Sequence, residues 1–408
     1  MERVSEMSAD RRCFLKQVAM GVGGLCVSPL FASEGIEVDG IALPDWAVST
    51  IREGAVRYRR WKGTDETIAF PFITDTHSKV IGLPDGPVDW KDSKRHILFL
   101  RAIAHEVDAD FISDLGDHDM EVNVLGSPMP MEDVKRHFDA YVSLYSQESL
   151  PVLFSMGNHD HAKGRLSSRV YGDALNRGIT QKKGHPVVLS EDGTWGYYDI
   201  PAKRFRMIFA NTSDEGYLGM SRHQLQFIAD AFVSTMNGWT VALQQHAQVL
   251  RYLGAWRRFM SDRGFEREMM LMHLVDDFVH RRGNLKKGFG KSAPQGEYDG
   301  VRWNFGHAGA VFAGDFSGHT HLEAHVKIDG VAWTTRPGYG TVPRDCVSFG
   351  ARDPKDLGVS YLDDENKSPR MPEKTMLIDL VGIKPTRRVV HVFRFGIGGK
   401  ESELEYEY

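Results

Sequence analysis

Five times between residues 68 and 321, a short apolar run breaks off into a knot of glycine, carboxylate, amide or imidazole. Ile68-Ala69-Phe70-Pro71-Phe72-Ile73-Thr74 ends in Asp75-Thr76-His77, and Phe111-Ile112 leads to Gly116-Asp117-His118-Asp119. Val152-Leu153-Phe154 runs into Gly157-Asn158-His159-Asp160-His161. Thr240-Val241-Ala242-Leu243 runs into Gln244-Gln245-His246, and Ala310-Val311-Phe312 precedes Gly318-His319-Thr320-His321. Runs of this length, rich in β-branched and aromatic residues and stopped by glycine, read as buried strands. Helical spacing separates the first three: Ile97, Leu98, Leu100, Ile103 and Ala104 in one stretch, Glu132–Tyr145 in the next. Strands alternating with helices predict βαβ units and a layered α/β sheet. Ligands of such sheets bind beyond the carboxyl ends of the strands, so five strand ends can bring their polar residues to one place.

From Gly196 the pattern turns antiparallel. Tyr197–Ile200 and Arg204–Ala210 predict a hairpin turning at Pro201-Ala202-Lys203, and Ser221-Arg222-His223-Gln224 matches a capping box opening a helix through Phe232. Residues 248–282 read as two long helices joined near Gly264, and Glu323–Thr335 and Met376–Phe395 as antiparallel strands. Residues 35–65 show no clear pattern. Neither a repeat nor a linker divides the chain, which at 408 residues and 41% hydrophobic content can bury one large core or two modest ones.

Carboxylate, imidazole and amide oxygen suit Mn, Fe or Zn better than calcium or soft copper. The order Asp75-Thr76-His77, Gly116-Asp117, Gly157-Asn158-His159-Asp160, His246, Gly318-His319-Thr320-His321 resembles the calcineurin-like metallophosphoesterase family over roughly residues 66–340. Asp-x-His alone arises about once by chance in a chain this long, whereas GNHD or GHTH arises in well under roughly one chain in a hundred. The resemblance implies a four-layer α/β/β/α sandwich of two mixed sheets flanked by helices. It implies two divalent or trivalent metal ions, with Asp75, His77 and His321 on the first, Asn158, His246 and His319 on the second, and Asp117 bridging them. His159 would stand near the leaving-group oxygen with Asp160 orienting it. The implied reaction is hydrolysis of a small phosphorylated substrate, a phosphomonoester or phosphodiester, by a metal-bridging hydroxide attacking phosphorus in line. Two ions so close need an anion between them, and two carboxylates against four positive charges leave an excess that suits an anionic substrate.

Departures from the family pattern are local. Two glutamines precede His246 where the family usually has His or Gly, and His273 is its rival within a helical stretch. Gly314-Asp315 falls too late in the order to be a second Gly-Asp motif and reads as a turn. His118, Asp119 and His161 flank motifs without an assigned role. Arg165, Arg169 and Arg336 read as surface groups, and the insert at about 248–306, lying between two ligand motifs, as a border of the cleft that sets specificity.

Two other readings are a nuclease and a catalytically silent scaffold of the same fold. The net charge of −5 argues against a nucleic-acid partner, and a silent relative would have lost ligands that this chain keeps. At the N-terminus, Asp10-Arg11-Arg12-Cys13-Phe14-Leu15-Lys16 precedes an uncharged run from Val18 to Ala32, shorter than a bilayer span. Residues 1–33 resemble a twin-arginine export signal, which predicts an exported, periplasmic or extracellular domain over 34–408. Its removal takes away Cys13 and Cys26, and the remaining Cys346 can form neither an internal disulfide nor a cysteine-rich zinc site.

Overall fold

Each of the five apolar runs folds as a strand, and the strands divide between two sheets. The computed structural model describes residues 35–76, 95–118, 128, 130–161, 164–214, 219–247, 271, 273–283, 300–319, 324–328, 331–335 and 376–408. The export signal, His77, His321, Arg336, Cys346 and most of the 248–306 insert lie outside them. A small hairpin, β1 (Glu37–Val38) and β2 (Ile41–Ala42), opens a unit that runs from Ile36 to Tyr408. No helix among the described residues is long and apolar enough to cross a membrane.

The first sheet contains β3 (Ile68–Ile73), β4 (Ile112–Asp114) and β5 (Val152–Phe154) in parallel. The antiparallel run β13 (Leu377–Lys384), β14 (Val389–Gly396) and β15 (Leu404–Glu407) extends it, in the order β15-β14-β13-β3-β4-β5. The second contains β6 (Val187–Leu189), β7 (Gly196–Ile200), β8 (Phe205–Ala210), β9 (Thr240–Ala247), β10 (Val311–Gly318), β11 (Ala324–Ile328) and β12 (Val331–Thr335). Its order is β11-β12-β10-β9-β8-β7-β6, with β8, β9, β10 and β12 mutually parallel, β7 antiparallel to both β6 and β8, and β11 antiparallel to β12. Both sheets are therefore mixed.

Three apolar cores separate four layers. Helices Asp45–Lys62, Arg95–Glu106 and Met131–Ser143 cover the first sheet through Ile51, Tyr58, Phe99, Phe138 and Phe154. Phe70, Phe111, Phe205, Phe209 and Phe316 fill the space between the sheets. Helix Arg222–Val233, a helical stretch at 273–279 and Trp303 and Phe305 cover the second sheet. This is the α/β/β/α order that the resemblance implied. The C-terminus bridges the sheets: Tyr406 donates its hydroxyl to the Ala313 carbonyl (3.1 Å), and the Tyr408 hydroxyl meets Thr240 Oγ1 (3.3 Å).

Three local expectations need correction. Helix Asp45–Lys62 occupies part of the stretch that showed no pattern. Its apolar stripe of Ala47, Val48, Ile51, Ala55 and Tyr58 is diluted by seven charged residues, and Gly54 is there because the Phe395 ring packs where its side chain would be. Gly314-Asp315 is no turn but the interior of buried strand β10. Ser221 caps its helix by accepting from the Gln224 N–H (3.2 Å), but the Gln224 amide does not return to Ser221. It bonds both backbone groups of Asn211 instead, fastening the helix to the end of β8.

Candidate metal centre

Asp75, Asp117 and His319 follow β3, β4 and β10, and all three have left-handed backbone, with φ of 53°, 59° and 68°. Non-glycine residues seldom take this conformation, Asp and His less seldom than most, and it costs on the order of 1–3 kcal/mol at each site. The turns are crowded as well as strained. A side chain at Gly157 would collide with the carboxylate and backbone of Asp117, and one at Gly318 with Thr74 and the Asp75 carboxylate. The glycines of these motifs let the loops of neighbouring strands press against each other.

His246, near the end of β9, is the hub. It is fully buried, and its Nδ1 lies 2.8 Å from the Leu115 carbonyl. A carbonyl only accepts, so Nδ1 carries the proton of the neutral ring and Nε2 presents its lone pair inward. There Nε2 meets Asn158 Oδ1 at 3.1 Å, Asp117 Oδ2 at 3.1 Å and His319 Nδ1 at 3.2 Å. Burial alone would lower the pKa of this ring; the Asp117 carboxylate, then Asp75, outweigh burial and hold it up to about 9. Lone pairs converging on one point call for a cation, a proton or a metal ion. One ligand atom each from Asp117, His246 and His319 lies within 4.8 Å of the others, and the amide oxygen of Asn158 joins them. This set of carboxylate, imidazoles and amide oxygen fits Mn, Fe or Zn.

Asp75 is buried beside this cluster, its Oδ2 accepting from Thr74 Oγ1 (2.6 Å) and from the His319 backbone N–H (2.8 Å). His159 keeps 30% of its side chain exposed, with Nε2 4.0 Å from Asp117 Oδ2, and its backbone N–H donates to Asp117 Oδ1 (2.8 Å). Of the nine residues singled out from the sequence, seven are described, and His77 and His321 are not.

Asp160 touches neighbours other than those expected. Its Oδ2 accepts from the backbone N–H groups of Gly157 (2.8 Å) and Asp117 (3.0 Å), and Oδ1 from that of His118 (2.8 Å). The fully buried carboxylate thus clamps the loop after β4 to the loop after β5. Behind it lies a network that the sequence did not announce. Asp114 Oδ2 accepts from Tyr145 (2.6 Å) and from Tyr141, and Oδ1 from the Gly116 N–H (3.2 Å). Burial keeps both tyrosines neutral and therefore donors. The His118 ring stacks on Tyr141 (centroids 3.8 Å apart), with Nε2 3.3 Å from the Tyr171 hydroxyl and 3.5 Å from Asp114 Oδ1. His118 therefore supports the Asp117 loop from inside the fold. A cue was present in the sequence: an Asp two residues before Gly-Asp, at the end of an apolar strand.

His161 ties the loop after β5 to the neighbouring sheet through Nε2 and the Ser213 carbonyl (2.6 Å). Gln244, also missed, spans the sheets by accepting from Ser113 Oγ (2.5 Å) and donating to the Leu153 carbonyl (3.1 Å). His273 sits in the helical stretch on the outer face of the second sheet, and Arg169 is exposed near Asp173 and Glu191.

Five motifs at the ends of strands in two facing mixed sheets decide the fold. The chain folds as a two-sheet α/β/β/α sandwich, the architecture that its resemblance to the calcineurin-like metallophosphoesterases implied. No family model matches it, and no curated protein does. Solved structures similar to it include a dimetal phosphatase from Danio rerio, with a TM-score of 0.49 and 12% identity over 84% of this chain and 99% of that one. Another is GAP50, the anchor in the inner membrane complex of Plasmodium, at 0.42 and 11% over 84% and 88%. A third is a putative 5'-nucleotidase from Staphylococcus aureus, at 0.39 and 10% over 78% of this chain and 51% of that one. Likeness at these identities says nothing of substrate; the sandwich stands on this chain's own sheets and strand order.

Proposed function

We propose that this protein is a metal-dependent hydrolase of phosphate esters. The observation that carries the reading is the convergence of Asn158 Oδ1, Asp117 Oδ2 and His319 Nδ1 on His246 Nε2, each within 3.2 Å. Asn158, His246, His319 and Asp117 would hold one ion, and Asp75, His77 and His321 would share Asp117 with a second. Bound ions supply Lewis acidity, which neutralises phosphate charge and makes hydroxide available near neutral pH.

The chain's own residues do the rest. The proton on His246 Nδ1 stays with the Leu115 carbonyl, so Nε2 is fixed as a donor atom toward the centre. His159, partly exposed and beside Asp117, is placed to give a proton to the departing oxygen. Asp160 keeps the loops that carry Asp117, Asn158 and His159 in one register through three backbone amides. The insert at 248–306, which lies in sequence between two ligand motifs, would set which ester fits; its deletion should change substrate preference. Residues 1–33 direct export, and replacing Arg11 and Arg12 by lysine should leave the protein in the cytoplasm of an expressing bacterium on fractionation.

The deciding assay compares p-nitrophenyl phosphate with bis-p-nitrophenyl phosphate in the presence of Mn2+. Turnover that a chelator abolishes and Mn2+ restores is the expected result, and the preferred compound separates monoesterase from diesterase. Metal-loaded protein that turns over neither would instead be a metal-binding scaffold.

A further inference from the structure

Gln245 and Asp315 are fully buried polar side chains on the two strands that carry His246 and lead to His319, and the metal centre uses neither. The strands pair irregularly there. Phe316 lies opposite Gln244 but Gly318 opposite Ala247, so Gln245 and His246 together face the single residue Ser317. This is a bulge in β9 at the position of a ligand, and a shift of opposite sense upstream, at Phe312–Gly314, restores the register.

Across the bulge, Gln245 Nε2 donates to Asp315 Oδ1 (2.9 Å). The remaining polar atoms of the pair, Gln245 Oε1 and Asp315 Oδ2, are buried and accept from no donor among the described residues. Leaving two such buried atoms unsatisfied is costly, because each has given up its hydrogen bond to water. Both are acceptors, so a single proton between them satisfies both, and a carboxylic acid has that proton where a carboxylate has none.

We propose that Asp315 is held as the neutral acid, donating Oδ2–H to Gln245 Oε1 while accepting from Gln245 Nε2, and that this closed acid–amide ring fixes the bulge that sets His246 against His319. Burial agrees with the proton, pushing the Asp315 carboxyl up to about 8 against the opposing pull of the Gln245 amide. Two apolar residues would fill these positions more cheaply, and what they would lack is a directional tie between the strands. The ring makes Gln245 and Asp315 positioning residues for the two imidazoles. The inference rests on the reading of His246 and His319 as metal ligands.

The test uses the full chain stripped of metal, with Co2+ as the probe, and three variants. Asp315→Asn replaces the acid O–H by an amide N–H, keeps the ring, and should bind Co2+ within about twofold of the parent with the same visible spectrum. Asp315→Leu and Gln245→Leu open the ring and should weaken Co2+ binding by about 10–100-fold with an altered spectrum. Infrared difference spectra should show a protonated carboxyl C=O band in the parent that disappears in Asp315→Asn. Absence of that band from the parent overturns the proton assignment. Leucine variants that bind Co2+ like the parent, or an asparagine variant as weak as they are, overturn the positioning role. Should the leucine variants fail to fold, the infrared band and the asparagine variant still decide. A parent that binds no Co2+ refutes the metal reading, while the infrared band reports on the ring independently.

Discussion

His246 and His159 carry the same ring into one site under opposite conditions. His246 is sealed from solvent, with one nitrogen committed to Leu115 and the other facing three donor atoms; His159 remains partly in water. On the proposed reading, that contrast separates ligand from proton donor. His159→Ala should retain Mn2+ stoichiometry and lose about 100-fold or more in kcat; metal analysis that finds an ion missing would make His159 a ligand. Asp117→Asn should lower occupancy at both ion positions, because one carboxylate would serve both, and unchanged metal content in the purified variant would contradict bridging. His118 belongs to neither role. Enclosed by Tyr141, Tyr171 and Asp114, it acts on the site only through the backbone it anchors.

The elements matter at their ends, where Asp160 joins two loops that no strand pairing holds together. Asp160→Ala would strand three buried N–H groups, and urea denaturation should show a loss of about 3 kcal/mol or more. A loss below about 1 kcal/mol would mean that the loops hold without it. The strands that bring these loops together were legible in the sequence because short apolar runs stopped by glycine and polar residues have few alternatives. The partners of Asp160 were not legible, since a carboxylate beside a histidine looks the same whether it faces the ring or the chain. Nor was the place of Asp315: Gly-Asp is a turn signal in most contexts, and only burial in β10 overrides it. The helix at Asp45–Lys62 shows the reverse failure, a real apolar stripe hidden by the arginines on its outer side.

Across the molecule, Glu148 gathers parts distant in sequence. Its carboxylate accepts from Arg101 (2.8 Å) and the Leu150 N–H (2.9 Å) and lies 3.0 Å from His105, while Arg101 also reaches Asp39 between β1 and β2. Burial would raise the Glu148 pKa; His105, the Leu150 amide and Arg101 reverse this and bring it down to about 2. A depressed carboxyl stabilises the fold above its unfolded value, near 4.5, and that stability drains away as pH falls toward about 2. His105 shifts upward, chiefly through Glu148, so its share is complete below 6.5 and is lost as pH rises through its folded value. Denaturation across pH should show the acid-side loss reach at most ~3 kcal/mol and shrink in Glu148→Gln; an identical acid limb in that variant would place the effect elsewhere.

The order of strands in the first sheet also sets a timetable. β3, which leads to Asp75, pairs on one side with β4 and on the other with β13, about 300 residues further along the chain. While the protein is being synthesised, that second edge stays open until Leu377–Lys384 has left the ribosome. An open edge of Ile, Phe and Ile invites pairing with other chains. A chain ending before Leu377 should therefore collect as insoluble material in a solubility assay, not as a weaker enzyme. On that order, β3 gains its second partner only after every residue of the candidate metal centre has been made.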